Sequence, residues 1–167
     1  LVPCSDGAGE VVAVGKDVKG LAVGDRVATL FFPHWYSGKA DARALSDARG
    51  AESTGAFTER FITDESGLVK LPDSLSYAEA ATLPCAAVTA WNSLFEAGDL
   101  KPGQTVLLLG TGGVSIFALQ FAKAAGAKVI ITSSDDAKLE RAKALGADQG
   151  INYKTHPEWH EEVLRLT

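Results

Sequence analysis

From Val106 to Gly126 the chain reads VLLLGTGGVSIFALQFAKAAG, an apolar run broken by a cluster of glycines. No charged residue occurs between Pro102 and Ala122. The stretch approaches the length of a membrane span. A lipid-facing helix would not carry Gly-Thr-Gly-Gly between a valine–leucine segment and an amphipathic one, nor bring Gln120 and Lys123 straight after. The segment reads instead as strand, turn and helix. Thr105–Leu109 is a fully apolar strand of the kind buried in a parallel sheet. Val114, Phe117, Ala118, Phe121, Ala122 and Ala125 then share one helical face, and Gly126 ends the helix.

The alternation continues downstream. Lys128–Thr132 reads as a second strand. Asp136–Leu145 reads as a second helix with Leu139, Ala142 and Leu145 inward, closed by Gly146. Gln149–Asn152 is a short third strand. Thr155 and Glu158 form a capping box for a helix carrying Trp159, Val163 and Leu166. Upstream of Lys101 the pattern is β-like, with strands expected at Glu10–Gly15, Asp25–Phe32, Ala56–Ile62 and Leu68–Asp73. Ser37–Thr54 is small, polar and without a period, the signature of a loop. Ser76 and Glu79 open a further helix as a capping box, and Pro84 interrupts it.

Composition removes whole classes of function. The net charge of −5 argues against a duplex nucleic-acid binder, which needs a basic footprint. Hydrophobic residues at 46% and charged ones at 22% are those of a soluble globular chain. Cys4 and Cys85 are too few to read as a disulfide framework, and no signal peptide opens the chain. The expected setting is the reducing cytoplasm, with no membrane partner.

Gly110, Gly112 and Ser115 match G-x-G-x-x-G with the last glycine replaced, around Thr111 and Gly113. Gly110 permits a tight exit from the strand, and Gly112 lets a pyrophosphate approach the backbone. The amides of Gly113 and Val114 then point at the phosphates from the positive end of the helix. The end of the second strand decides which coenzyme fits. It reads Thr132-Ser133-Ser134, with Ser134 where an acid would bind the ribose of NAD. Ser133 and Ser134 can donate to a 2′-phosphate, and Lys138 one turn on can neutralise it. Asp135, one residue out of register, would reverse that choice, and Ser134 could instead cap the next helix. The reading is NADP(H), with NAD(H) as the alternative.

Several blocks together carry a family likeness: CSDGAGEVVAVG (Cys4–Gly15), VGDRV (Val23–Val27), AATLPCAAVTAW (Ala80–Trp91), LKPGQTVLLLGTGGVSIFALQFAKAAGA (Leu100–Ala127) and KLERAKALGADQGINY (Lys138–Tyr153). The chain resembles the medium-chain dehydrogenase/reductase superfamily, most closely its zinc-independent, quinone-reductase-like branch. The resemblance implies an α/β chain: a partial chaperonin-10-like β-barrel over residues 1–86, then the first half of an NADP(H)-binding Rossmann domain, a doubly wound parallel sheet, over 87–167. It implies hydride transfer between NADP(H) and a small carbonyl, quinone or activated alkene, in a homodimeric enzyme. Thr89 falls where the family places a threonine against the nicotinamide. Tyr153 falls where quinone-reductase-like members reach the 2′-phosphate, or it is an aromatic plug beneath the adenine-side loop.

Zinc-dependent members of that superfamily supply a histidine in G-H-E-x-A-G, where this chain has Ser5 in Cys4-Ser5-Asp6. Cys85 stands at a second ligand position and the third precedes the chain. The four-cysteine structural lobe would fall within Phe31–Thr54, which has no cysteine. No zinc is expected, and Cys85 reads as a small buried residue. His156 and His160 read as a solvated helix terminus and His34 as a surface histidine. No catalytic acid or base is assigned; Asp6 and Ser5 lie nearest the expected site, and Asp6 could equally brace the barrel–Rossmann junction. Against the family pattern both ends are missing, so a segment of a larger enzyme is expected. A zinc alcohol dehydrogenase and a non-catalytic NADPH-binding protein are the alternatives.

Overall fold

The structure, a computed structural model, describes residues 2–167. By its internal contacts the chain divides between Cys85 and Ala86. The first unit is built on three short antiparallel strands, β1 (Ala8–Glu10), β2 (Arg26–Thr29) and β3 (Leu68–Lys70), with β2 in the middle. Gly9 lies opposite Val27, and Ala28 opposite Val69. Val27, Ala28 and Thr29 are buried on the central strand.

These strands are shorter than the sequence suggests. Of Glu10–Gly15 only Glu10 belongs to the ladder, and Val12 and Val14 are exposed. Val11 still bonds to the backbone of Asp25 and Gly24, and the Asp25 carboxylate accepts the Ala22 N–H at 2.8 Å and pairs with Lys70 at 2.8 Å. Ala56–Ile62 forms no strand, and Ile62 is 99% exposed. The Gly55, Ala56 and Phe57 amides donate instead to the Val2, Cys4 and Pro3 carbonyls in an irregular crossing. The helix α1 (Tyr77–Ala80) opens on the expected capping box. Ser76 Oγ accepts the Glu79 N–H at 3.2 Å, and the Glu79 carboxylate returns to the Ser76 N–H at 2.9 Å.

In the second unit, α2 (Ala86–Trp91) runs into a π-helical turn at Asn92–Ala97. Strand and helix then alternate: β4 (Thr105–Leu108), α3 (Gly113–Ala124), β5 (Lys128–Ser133), α4 (Asp136–Ala144), β6 (Gln149–Asn152) and α5 (Trp159–Leu166). The sheet is parallel in the order β4-β5-β6, with Leu108 beside Ile131 and Thr132 beside Ile151. Central β5 is buried along Val129–Ser133, as a strand covered on both faces should be. Leu119, Ala122, Val129, Ile131, Leu139 and Ala142 form the core, and Trp91 meets Phe121 edge-on and Phe95 at a tilt. A fully buried side chain such as Leu119 contributes about 2–3 kcal/mol.

Three expectations in this unit need correction. β4 is the outer strand of the three in this chain, and Leu107 and, just after it, Leu109 are exposed rather than buried. Leu145 is also exposed, because it follows the last turn of α4 as its C-cap. The Thr155–Glu158 capping box does not form: Glu158 is itself the N-cap of α5 and makes no capping bond. The Thr155 hydroxyl donates instead to the Asn152 carbonyl at 3.2 Å. Gly126 and Gly146 end their helices with φ of +79° and +106°. Among the described residues no helix is long and apolar enough to cross a membrane.

Candidate functional site

The turn between β4 and α3 is built from backbone rather than side chains. Gly110 has φ of +79°, which lets the chain leave β4 abruptly. Gly112 is the N-cap of α3, extended at φ −79° and ψ 176°. Any residue could adopt that conformation, and a Cβ placed there would meet nothing within 4 Å. Among the described residues neither the backbone nor the packing asks for glycine, so this flank is open. No side chain caps α3 and no acid stands in its first turn. The leading amides of Gly113, Val114 and Ser115 therefore lack a side-chain acceptor, whereas Ser76 caps α1 and Asp135 caps α4. Bare amides, the positive end of a helix and an open glycine flank together suit a diphosphate.

Side chains from β5 stand behind this turn. Thr132 is 3% exposed, and its Oγ1 accepts the Gly110 N–H at 3.1 Å. Ser133, 4% exposed, lies with its Oγ 3.3 Å from Thr111 Oγ1 and accepts the Asp135 N–H at 3.3 Å. Both hydroxyls are buried and already hold partners within the chain. Ser134 is half-buried and does not cap α4. Asp135 does so, accepting the Lys138 N–H at 3.1 Å. Lys138 is exposed, and among the described residues its ammonium forms no ion pair. The Tyr153 N–H donates to the Ser133 carbonyl at 3.1 Å, which brings the exposed tyrosine beside the end of β5. Thr89 is exposed on α2, and Ala86 of the same helix lies against Gly113.

A second polar group sits in the first unit. Ser5 Oγ donates to Asp6 Oδ1 at 2.5 Å, and Asp6 Oδ2 accepts the Cys85 N–H at 2.9 Å. Thr29 holds the same bend, donating to the Ser5 carbonyl at 2.9 Å and accepting the Gly7 N–H at 3.0 Å. Cys4, just before, has φ of 70°, a left-handed conformation that costs a non-glycine residue about 1 kcal/mol. Cys85 is exposed, not buried, and its amide is held by Asp6 in the turn before α2.

Residues 1–73 match the alcohol dehydrogenase GroES-like domain and residues 113–167 the zinc-binding dehydrogenase family. A zinc-type alcohol dehydrogenase-like protein of Schizosaccharomyces pombe is 51% identical over the whole chain and 49% of its own length. The chain belongs to the medium-chain dehydrogenase/reductase superfamily. A solved NAD-dependent alcohol dehydrogenase is 38% identical with a TM-score of 0.86, over 99% of this chain and 50% of that one. A quinone oxidoreductase from Pseudomonas syringae pv. tomato DC3000 is also 38% identical, with a TM-score of 0.72 over 90% of this chain and 41% of that one. The chain spans about half the length of the curated relatives it matches.

Zinc, which the superfamily's names suggest, is poorly matched by the residues in hand. The Ser5 hydroxyl is a weak zinc donor beside the usual cysteine, histidine and carboxylate. Both oxygens of Asp6 already hold hydrogen bonds. Among the described residues the three possible donors that converge within 4.8 Å are Glu158, His160 and Glu161, all exposed at the start of α5. His156 is hydrogen-bonded to Thr155, and His34 pairs with Asp47 at 3.0 Å.

At this medium-chain dehydrogenase/reductase turn, two residues already named from the sequence make contacts that the motif does not specify. Ser115, legible only as a small residue in the third glycine position, donates to the Leu109 carbonyl at 3.1 Å. Thr132 reaches the turn only because β5 lies beside β4, 22 residues away in sequence.

Proposed function

We propose that the intact protein is an oxidoreductase of the quinone-reductase-like branch, preferring NADP(H), which exchanges hydride with a small carbonyl, quinone or activated alkene without zinc. The carrying observation is the uncapped head of α3 beside Gly112, whose open flank none of the described residues fills. When bound, the nicotinamide supplies or accepts the hydride. The chain's own share is to hold the diphosphate on the Gly112, Gly113, Val114 and Ser115 backbone, to place the adenosine end by Ser134, Lys138 and Tyr153, and to keep Thr89 for the nicotinamide.

The preference for NADP(H) is supported by the end of β5. Its nearest acid, Asp135, is engaged as the cap of α4, while the Lys138 ammonium has no ion-pair partner among the described residues. NAD(H) remains the second reading, favoured by the remaining Asp135 oxygen and by the NAD-dependent enzyme among the similar structures. The metal-free reading is supported by Ser5 and by the engaged Asp6. The two free thiols suit a reducing, cytoplasmic setting, and a homodimer is the proposed assembly.

A fluorescence titration of the full-length protein with NADPH and NADH tests this, repeated with Lys138→Ala. NADPH should bind tighter, and the substitution should erode that preference by roughly tenfold, as loss of one charge-assisted contact does. Tighter NADH binding, unmoved by the substitution, would overturn the coenzyme assignment. About one zinc per chain in the purified protein would favour a zinc alcohol dehydrogenase. Tight NADPH binding without oxidation across quinones, enones and aldehydes would favour a non-catalytic binder.

A further inference from the structure

We infer that Thr132, Ser133 and Ser115 are positioning residues, which hold the coenzyme turn in its binding shape before any coenzyme arrives. This rests on the dinucleotide reading above and divides its residues into those that touch the ligand and those that hold the turn. The parallel ladder between β4 and β5 ends at Leu108 and Ile131. Beyond it three consecutive residues are each held by one side-chain hydroxyl. Ser115 takes the Leu109 carbonyl at 3.1 Å, Thr132 takes the Gly110 N–H at 3.1 Å, and Ser133 meets the Thr111 hydroxyl at 3.3 Å. Thr132 thus adds one rung to the ladder with its side chain where backbone pairing has stopped.

A serine hydroxyl has one proton and two lone pairs. Ser133 Oγ already accepts from the Asp135 amide and lies against Thr111, so little is left for a ligand. With Thr132 and Ser133 both more than nine-tenths buried, neither reaches a phosphate. Their work is to prevent the glycine turn from sampling other shapes. A preformed turn spares the coenzyme the ordering cost of binding. That saving does not depend on the 2′-phosphate, so it is the same for NADPH and NADH.

The test measures, in the full-length protein, the affinities for NADPH and NADH and the hydrogen-exchange rate of the Gly110 amide without coenzyme. For Thr132→Val both affinities should fall by about fivefold, the size of one lost hydrogen bond, with their ratio within about twofold of the original. Gly110 exchange should accelerate by roughly tenfold. Thr132→Ser, which keeps the hydroxyl, should restore both, and Ser133→Ala should act in the same direction as Thr132→Val but less. If Thr132→Val proves too unstable to purify, Ser133→Ala and Thr132→Ser carry the same comparison. A selective loss of NADPH binding in Ser133→Ala or Thr132→Val would make that residue a phosphate ligand and overturn the assignment. Unchanged Gly110 exchange in Thr132→Val would also overturn it. An unmodified protein that binds neither coenzyme defeats the dinucleotide reading instead, while the exchange rates still decide whether the hydroxyls hold the turn.

Discussion

Residues 86–167 bury Leu119, Val129, Ile131, Leu139 and Ile151, whereas among the described residues of the first unit the buried apolar side chains are Val27, alanines and prolines. The first unit is held instead by polar side chains that each tie several segments together. Arg49, 4% exposed, donates from Nε to the Leu30 carbonyl at 3.2 Å, from Nη1 to the Thr54 carbonyl at 3.5 Å and from Nη2 to Thr63 Oγ1 at 2.9 Å. Its guanidinium also lies 5.2 Å from the Phe61 ring centre. Burial lowers its pKa, against the opposing pull of Asp47, so the charge is retained at a desolvation cost. Thr29 does similar work for the Ser5–Gly7 bend. An apolar core stabilises by area and tolerates imprecision, whereas a polar clasp stabilises only while every partner is in place.

That contrast makes unequal predictions. Leu119→Ala should have the largest effect, a loss of about 3 kcal/mol from transfer and cavity terms, read as faster hydrogen exchange across β5 and α3. The contrast breaks if residues 2–85 loosen equally. Arg49→Ala should cost roughly 2 kcal/mol by stranding the Leu30 and Thr54 carbonyls, with exchange rising around Phe31, Thr54 and Thr63. Retained protection there would mean that packing, not the clasp, holds the loop. Cys4→Gly should stabilise by up to about 1 kcal/mol in urea unfolding, since glycine adopts the left-handed conformation without strain. Destabilisation would show that the thiol makes a compensating contact.

The smallest effect concerns Asp148. The Lys123 ammonium 2.8 Å away, with the Val129 N–H, holds its carboxyl below the ordinary aspartate value of 3.8. A depressed folded pKa contributes stability that is complete above the unfolded value and is lost as pH falls through the folded one. Asp148→Asn should therefore be slightly less stable at neutral pH and converge with the unmodified protein in acid. The pair is partly exposed, so the gap is small. A gap that widens in acid would reverse the sign.

The same contrast explains what the sequence revealed. In the second unit the apolar residues recur with helical or strand period because they face one core, so α3, β5, α4 and β6 were legible nearly to their ends. The errors there are positional: nothing local says that Leu107 and Leu109 are exposed or that Leu145 lies beyond its helix. In the first unit, Ala56–Ile62 alternates like a strand, but its Ala56 and Phe57 amides go to Cys4 and Pro3. Arg49 sits in a polar stretch with nothing to distinguish it from a solvated charge. At the candidate site, Gly110–Ser115 was readable because the turn is local. The inward fate of Thr132 and Ser133 was not, because it depends on which strand stands next to β4.

Leaving the first amides of α3 without a partner has a thermodynamic corollary. On the proposed reading, the coenzyme is the cap that the helix lacks, so folding and ligand occupancy become a single linked equilibrium. Resistance to heat should then climb with the logarithm of free coenzyme once its dissociation constant is exceeded. In a cell the nucleotide pool would help set how long each copy survives, independently of how fast it turns over substrate.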